Sequence, residues 1–484
     1  MNSIRKSLGY SLLSSNAVTG LQFFGSLIIA RLLTPEQIGI FSVAAVVVAL
    51  AQIIRDLGVS GYIIQVEKLT TEILRAAFGL ALLSAGALAL ALSLASGSIA
   101  TFYAEPRLQE VMLILALNFA LTPFGSVTMA CIRREMGFRA IAVVDVLSAL
   151  ISLGVTIALA YLGYGAMSLA WGAIAGTIFS TLAAQFLRPA YMPWLPGLKG
   201  ASAILKFGSI TTSSSIIGYL NTSATDLVLG KLSGMSAVAY FNRAASLNRF
   251  FGGLLSKALN PVLLPAFSNI RRQDGDLGFA FLNGTSLVTA VTWPLYAFIA
   301  ILAEPLILLM FGDQWRVSIE LVPYIAMTAL LSSTYTLCGA SYVARGKPSL
   351  NLISEAINLP IKVGAIIYFA PASVLAVAKA WPWIALSGAI VHQVLIATEL
   401  RISPWRFIRS LWQSLVVTVL STIGAWLAFQ FIADNQRTTH EVTQLLAGAA
   451  GAGALWVLAI YLVRHPVSIE LAKARTFLTS KPWK

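Results

Sequence analysis

The chain has 484 residues, of which 58% are apolar and only 11% charged, with a formal net charge of +14 and a mean hydropathy of +0.81. That balance excludes a soluble globular domain of this length. The excess of basic residues sits at the ends of apolar segments and not on a basic soluble face, which argues against nucleic acid as a partner. Cys131 and Cys338 both fall inside apolar segments, and His392, His440 and His465 are scattered. Neither a disulfide framework nor a Cys/His metal centre is expected, and no cofactor is implied.

A helix needs about 20 apolar residues to cross about 30 Å of hydrocarbon. On that measure the chain is an all-α polytopic membrane protein with fourteen predicted transmembrane helices, at 8–31, 38–63, 74–96, 108–131, 141–161, 165–187, 207–229, 236–264, 281–310, 319–343, 350–369, 375–398, 407–431 and 441–463. The first follows Arg5 and Lys6 and runs on as a full span, unlike a signal peptide. Several turns are short, Leu162-Gly163-Tyr164-Gly165 among them, and no connection is long enough to hold a folded soluble domain. Trp381-Pro382-Trp383 and Trp405 lie near span ends, where indole rings anchor at the interface.

Placing the N-terminus in the cytoplasm puts twenty-three of the thirty-three basic residues on that side. Five (Arg31, Arg107, Lys231, Arg316 and Arg437) fall outside, and five (Arg243, Arg249, Lys257, Lys362 and Lys379) fall within spans. This positive-inside bias, with an even number of spans, predicts two cytoplasmic termini in a multi-pass protein of the inner membrane.

The chain reads as duplicated at an offset of about 200 residues. Ala30-Arg31-Leu32 and the approach to Phe41 line up with Gly230-Lys231-Leu232 and the approach to Phe241. The expected organisation is an N-terminal lobe of six spans over 1–188, a Pro/Gly-rich cytoplasmic linker over 189–206, a second six-span lobe over 207–400, and two extra helices with a tail over 401–484. Parallel repeats of this kind are a construction of alternating-access transporters.

At this point the residues resemble a known family. Ala30-Arg31-Leu32-Leu33-Thr34-Pro35-Glu36-Gln37-Ile38-Gly39 looks like the first turn of Wzx-type polysaccharide and O-antigen flippases. So do Asp56-Leu57-Gly58 with Ile63-Ile64-Gln65, and Pro261-Val262-Leu263-Leu264-Pro265-Ala266-Phe267-Ser268. Phe311-Gly312-Asp313-Gln314-Trp315 and Arg464-His465-Pro466 are similar to the branch containing the colanic acid exporter. The motifs cover the whole chain in order. The resemblance implies the fold of the multidrug/oligosaccharidyl-lipid/polysaccharide exporter superfamily. It also implies an undecaprenyl-pyrophosphate-linked oligosaccharide as substrate, flipped within a membrane of lipids for exopolysaccharide, capsule or O-antigen synthesis, with polymerase and polysaccharide export proteins as partners. Other exporters of the superfamily, a lipid II flippase or a drug/cation antiporter, are the alternative. A membrane glycosyltransferase or polymerase would need a large extracytoplasmic loop. Here the longest outer connections, near 97–107, 311–318 and 432–440, carry no paired carboxylates and no nucleotide-binding glycine loop, so no enzyme is expected.

A charge at mid-bilayer costs about 2.5–3.5 kcal/mol on insertion scales, so those that persist usually face a cavity or a partner. In the eighth span, Arg243, Arg249 and Lys257 share an arc of about 120° with Asn242, Ser246 and Asn260. A hydrated cationic wall of this kind suits an anionic sugar pyrophosphate. The other reading is that Arg243 and Lys257 snorkel to the two membrane faces. In the eleventh span Asn351, Glu355, Asn358 and Lys362 follow at intervals of four, three and four, one face of a helix; Lys362 and Asn358 join the candidate substrate contacts, with a polar seam between helices as the alternative. Glu355, Asp226 and Asp145 are candidates for a coupling proton or Na⁺, because a carboxylate in a partly dry site has a tunable pKa. Local pairing is the competing reading, of Asp145 with Arg139 or Arg133-Arg134 and of Asp226 with Lys231. Arg55, Asp56 and Arg31 read as gate or anchor residues at span ends.

Overall fold

The computed structural model describes residues 2–435 and 441–469, with the backbone alone at 2–8, 11, 12, 210, 254, 256–262, 433–435 and 441. Arg437, His440 and the basic tail from residue 470 onward lie outside the described residues. The chain divides into two compact units, Met1–Ala239 and Tyr240–Lys484.

The first unit is built from α1 (Asn2–Leu32), α2 (Pro35–Asp56), α3 (Val59–Gln65), α4 (Thr71–Tyr103), α5 (Arg107–Arg134), α6 (Phe138–Tyr161), α7 (Ala166–Phe186) and α8 (Ala201–Leu232). The motif at its first turn is a helix start. Thr34 accepts from the Gln37 N–H (3.3 Å), and the Gln37 side chain accepts from the Thr34 N–H (3.0 Å). This reciprocal capping box, with Pro35 at the first helical position, satisfies two of the backbone donors that a helix start leaves open. Gly39 follows because a Cβ there would lie 1.9 Å from the Met235 carbonyl oxygen.

The second motif is a helix break. Leu57 (φ 44°) and Gly58 (φ 68°) are both left-handed, so the predicted span 38–63 becomes α2 and the short α3. Gly208 on α8 packs directly on that break; a Cβ on it would meet the Leu57 carbonyl oxygen at 1.7 Å. Arg134 at the end of α5 donates to the carbonyls of Ile63 (2.7 Å) and Val66 (2.6 Å), capping the open C-terminal end of α3. Ile63, Leu74, Val127, Cys131 and Ile204 form the apolar core around this junction. The Pro/Gly stretch before α8 lies within this unit, held by the Gly197 N–H on the Arg75 carbonyl (2.9 Å).

The second unit holds most of α9 (Met235–Arg272), then α10 (Leu277–Ile301), α11 (Ala303–Phe311), a 3₁₀ turn (Asp313–Trp315), α12 (Arg316–Ser333), α13 (Cys338–Ala344), α14 (Ser349–Phe369), α15 (Val374–Glu399), α16 (Pro404–Asn435) and α17 (Glu441–Leu462). Its main core gathers Phe281, Leu337, Cys338, Tyr342, Ile396 and Phe407. Helix boundaries recur at the offset seen in the sequence: α1 ends at Leu32 and α8 at Leu232, and α2 starts at Pro35 and α9 at Met235.

Among the described residues, twelve helical segments are long and apolar enough to cross a membrane. The all-α polytopic class therefore holds. The two predicted spans outside that dozen are α8 and α9. Their 32 and 38 residues are long enough to cross, but the run Thr211-Thr212-Ser213-Ser214-Ser215 and the residues Asn242, Arg243, Asn248 and Arg249 make them more polar than their neighbours.

Candidate functional site

Six residues separate Arg243 from Arg249, about 120° around a helix, and the two side chains go to different places. Arg243 is 8% exposed. Its guanidinium carbon lies 4.5 Å from the ring centre of Phe311 and 4.6 Å from that of Trp315. Both rings are fully buried, and Gly312 (φ 95°) makes the turn between them. Tyr240 meets Trp315 edge-on at 6.0 Å, and its carbonyl accepts from the Ser318 hydroxyl (3.0 Å). The motif Phe311–Trp315 is thus an aromatic clasp on Arg243.

Arg249 is exposed. Its Nη1 donates to the Asn242 side-chain oxygen (3.1 Å) and its Nη2 to the Asn242 carbonyl (2.8 Å). The Ser246 hydroxyl turns back to the Arg243 carbonyl (2.6 Å). The side chains of Lys257 and Asn260, with those of Pro261 and Val262, lie outside the described residues.

Arg249 lines a cavity of about 320 Å³ between α9, α10 and α12. Its other polar walls include Asn248, Thr292, Tyr296, Thr328, Ser332 and Ser333. Asn248 escaped the sequence reading, which followed charge; its signal was only an amide beside an arginine in a predicted span.

The α14 face is divided. Lys362 places its ammonium 5.2 Å from the Trp381 ring of α15, and Trp381 meets Phe241 edge-on at 4.8 Å. Trp381 is therefore half-buried against its neighbours, whereas Trp383 and Trp405 are each 72% exposed, as interfacial anchors are. Asn358 donates to the Ser354 hydroxyl (3.4 Å), which in turn meets His392 Nε2 (3.1 Å). His392 stacks on Tyr335 (5.5 Å) and Tyr342 (6.3 Å). Glu355 is exposed on the same helix.

In the first unit, α1, α6 and α7 surround a polar cavity of about 590 Å³. Asp145 and Arg133 both line it, with Gln22, Ser148, Ser152 and Thr177. Asp145 is exposed to this space and forms no ion pair among the described residues. Arg139 lines a different, mostly apolar groove of about 1100 Å³ beside α6 and α7, and Arg134 is taken by α3. Arg55 is buried, its carbonyl accepting from the Ser84 hydroxyl (2.9 Å), and Asp56 accepts from Ser60 (2.8 Å). Both stand at the α2–α3 break. Arg31 is exposed in the last turn of α1, and Asp226 is half-buried on α8. Lys231 donates to the Phe102 carbonyl and lies 4.6 Å from the Phe102 ring. Arg107 bridges Glu105 (2.7 Å) and Glu36, and its hydrogen bond holds the Glu105 carboxyl below the usual range.

His465, scattered by sequence, is fully buried. Its Nδ1 accepts from the Val467 N–H (3.2 Å), so the ring proton resides on Nε2, 3.2 Å from the hydroxyls of both Ser286 and Ser414. Burial depresses its pKa to about 4. The Arg464-His465-Pro466 motif is the bolt that fastens the end of α17 to α10 and α16.

Along nearly its whole length the chain is similar to proteins named for polysaccharide biosynthesis and transport. It is 25% identical to the lipopolysaccharide biosynthesis protein WzxC of Escherichia coli (strain K12), over 98% of this chain and 96% of that protein. It is 24% identical to the succinoglycan biosynthesis transport protein ExoT of Rhizobium meliloti (strain 1021), with the same coverage. Its fold matches the inward closed conformation of the lipid II flippase MurJ with a TM-score of 0.76, at 15% identity, over 94% of this chain and 99% of that one. The family described as polysaccharide biosynthesis protein matches residues 28–320, more than half of the chain, and the chain belongs to that family.

Proposed function

We propose that this protein is a transporter, not an enzyme, that turns undecaprenyl-pyrophosphate-linked oligosaccharide repeat units from the inner to the outer leaflet of the cytoplasmic membrane by alternating access. The observation that carries this reading is the α9 cavity. The exposed Arg249 lines it together with one amide, several hydroxyls and aliphatic side chains, on a helix of a polytopic membrane protein. A cationic wall with hydroxyls and an amide beside the charge is the complement of a cargo that is both anionic and hydroxyl-rich. The end-to-end similarity to WzxC and ExoT supports the same cargo class.

In this reading fourteen helices cross the membrane, α8 and α9 included, as two lobes of six with α16 and α17 added and both termini cytoplasmic. Arg249 is the principal cargo contact, with Asn242 holding it; Lys362 and Asn358 lie farther along the same path. Asp145, exposed in its own polar cavity, is the leading site for a coupling proton or Na⁺, with Glu355 and Asp226 as the others. A polymerase and export proteins take the product onward.

Deletion in the native host tests the reading. Surface polymer should vanish, and lipid-linked single repeat units should accumulate where only cytoplasmic reagents reach them. Normal accumulation of those units in the outer leaflet would eliminate it.

A further inference from the structure

Asn248 is the one polar side chain of the α9 cavity that is both deeply buried and unmatched. It is 8% exposed, and among the described residues neither its amide nitrogen nor its carbonyl oxygen has a hydrogen-bond partner. Buried amides are nearly always paired, because leaving one unpaired costs stability. Three of the hydroxyls around it already have uses for their protons. Thr328 donates to the Tyr324 carbonyl (2.9 Å), Ser333 to the Leu330 carbonyl (2.7 Å), and Thr292 to Ser333 (3.0 Å).

We infer that Asn248 reads a sugar ring of the transported glycan, its amide oxygen and nitrogen pairing with two neighbouring hydroxyls of that ring. The inference rests on the transport reading above and assigns the recognition of the sugar, as distinct from the anion, to one residue. An amide is the side chain that accepts and donates at once, which is what two adjacent sugar hydroxyls require. Arg249 only donates, so it answers an acid or a phosphate. The two neighbours on α9 point about 100° apart and line one cavity, so a single ligand spans both. At about 320 Å³ the space is at the small end of ligand cavities, roughly 300–1,000 Å³, and suits one ring of a larger cargo.

The test uses purified full-length protein and two probes: the lipid-linked repeat unit extracted from the deletion strain, and undecaprenyl pyrophosphate without sugar. Asn248→Leu should weaken binding of the glycan-bearing lipid by roughly 5- to 150-fold, the worth of two neutral hydrogen bonds. It should leave undecaprenyl pyrophosphate binding unchanged and raise the melting temperature of the ligand-free protein, because an unpaired buried amide is gone. Arg249→Lys should weaken both probes. If leucine prevents folding, Asn248→Ala is read for the same split between probes. Unchanged affinity for the glycan-bearing lipid, or equal loss for both probes, would each overturn the inference while leaving the transport reading standing. Wild-type protein that binds neither probe would overturn both.

Discussion

Arg249 presents its charge to a cavity, whereas Arg243 lies against two aromatic faces, and their variants should fail differently. Arg249→Ala should insert and accumulate normally but lose most transport. One charge-assisted hydrogen bond is worth about 1.5–3 kcal/mol, or roughly 10- to 150-fold in affinity. Arg249→Lys should recover only part of this, since an ammonium does not reproduce a planar, bidentate guanidinium contact. Surface polymer per unit of membrane-inserted protein is the measurement, and wild-type export by Arg249→Ala would remove the cavity from the transport path. Arg243→Ala should instead lower thermal stability, by about 2–4 kcal/mol for a desolvated cation–π pair and the packing around it. Normal melting with lost transport would show that Arg243 contacts cargo.

His465 adds a pH dependence. Its folded pKa of about 4 lies below the usual value of about 6.5 for histidine. Its contribution is therefore fully present above pH 6.5 and is lost as pH falls toward 4, where the folded state must accept a proton that the unfolded chain already holds. The melting temperature of the solubilised protein should fall across that window. His465→Asn should melt lower at pH 7.5 and with a shallower slope; an unchanged slope would place the acid sensitivity elsewhere. Nothing in the sequence around His465 marked it as buried, because its partners, Ser286 and Ser414, are 179 and 51 residues away.

Among the helices, the α2–α3 break and its contact with α8 form the tightest backbone approach in the first unit. Gly208→Ala should destabilise more than Thr34→Ala. The first drives a Cβ toward a backbone oxygen 1.7 Å away, which has no rotamer to yield. The second removes one helix cap, worth about 1 kcal/mol. Thermal melting of the two variants decides the order, and equal melting would mean that α8 shifts freely off the break. Glycines with such duties stood in the Asp56-Leu57-Gly58 and Thr34–Gly39 motifs, where the sequence resembled a family without saying why those residues are needed. The structure supplies the reasons: a capping box, a pair of left-handed residues, and helices in backbone contact.

For the molecule as a whole, the charge asymmetry leads to a topology experiment. A reporter active only outside the cytoplasm should be silent when fused after Lys484 and active when placed in the connection 432–440. An active fusion after Lys484 would require an odd number of crossings and would remove α8 or α9 from the membrane.

The membrane class, most of the helix positions and the 200-residue recurrence of helix boundaries followed from the sequence alone, because hydropathy and chain length act locally and the bilayer sets one length scale for every segment. The arc of α9 was legible too, since helical periodicity is local. Which polar residues of that arc share a space was not. Only tertiary packing decided that Arg243 is clasped by Phe311 and Trp315, some seventy residues away in the chain, while Arg249 and Asn248 line one cavity with hydroxyls from α10 and α12. A helical wheel orders side chains around their own axis; the identity of what each one meets depends on residues far away in sequence, brought there by the packing of other helices.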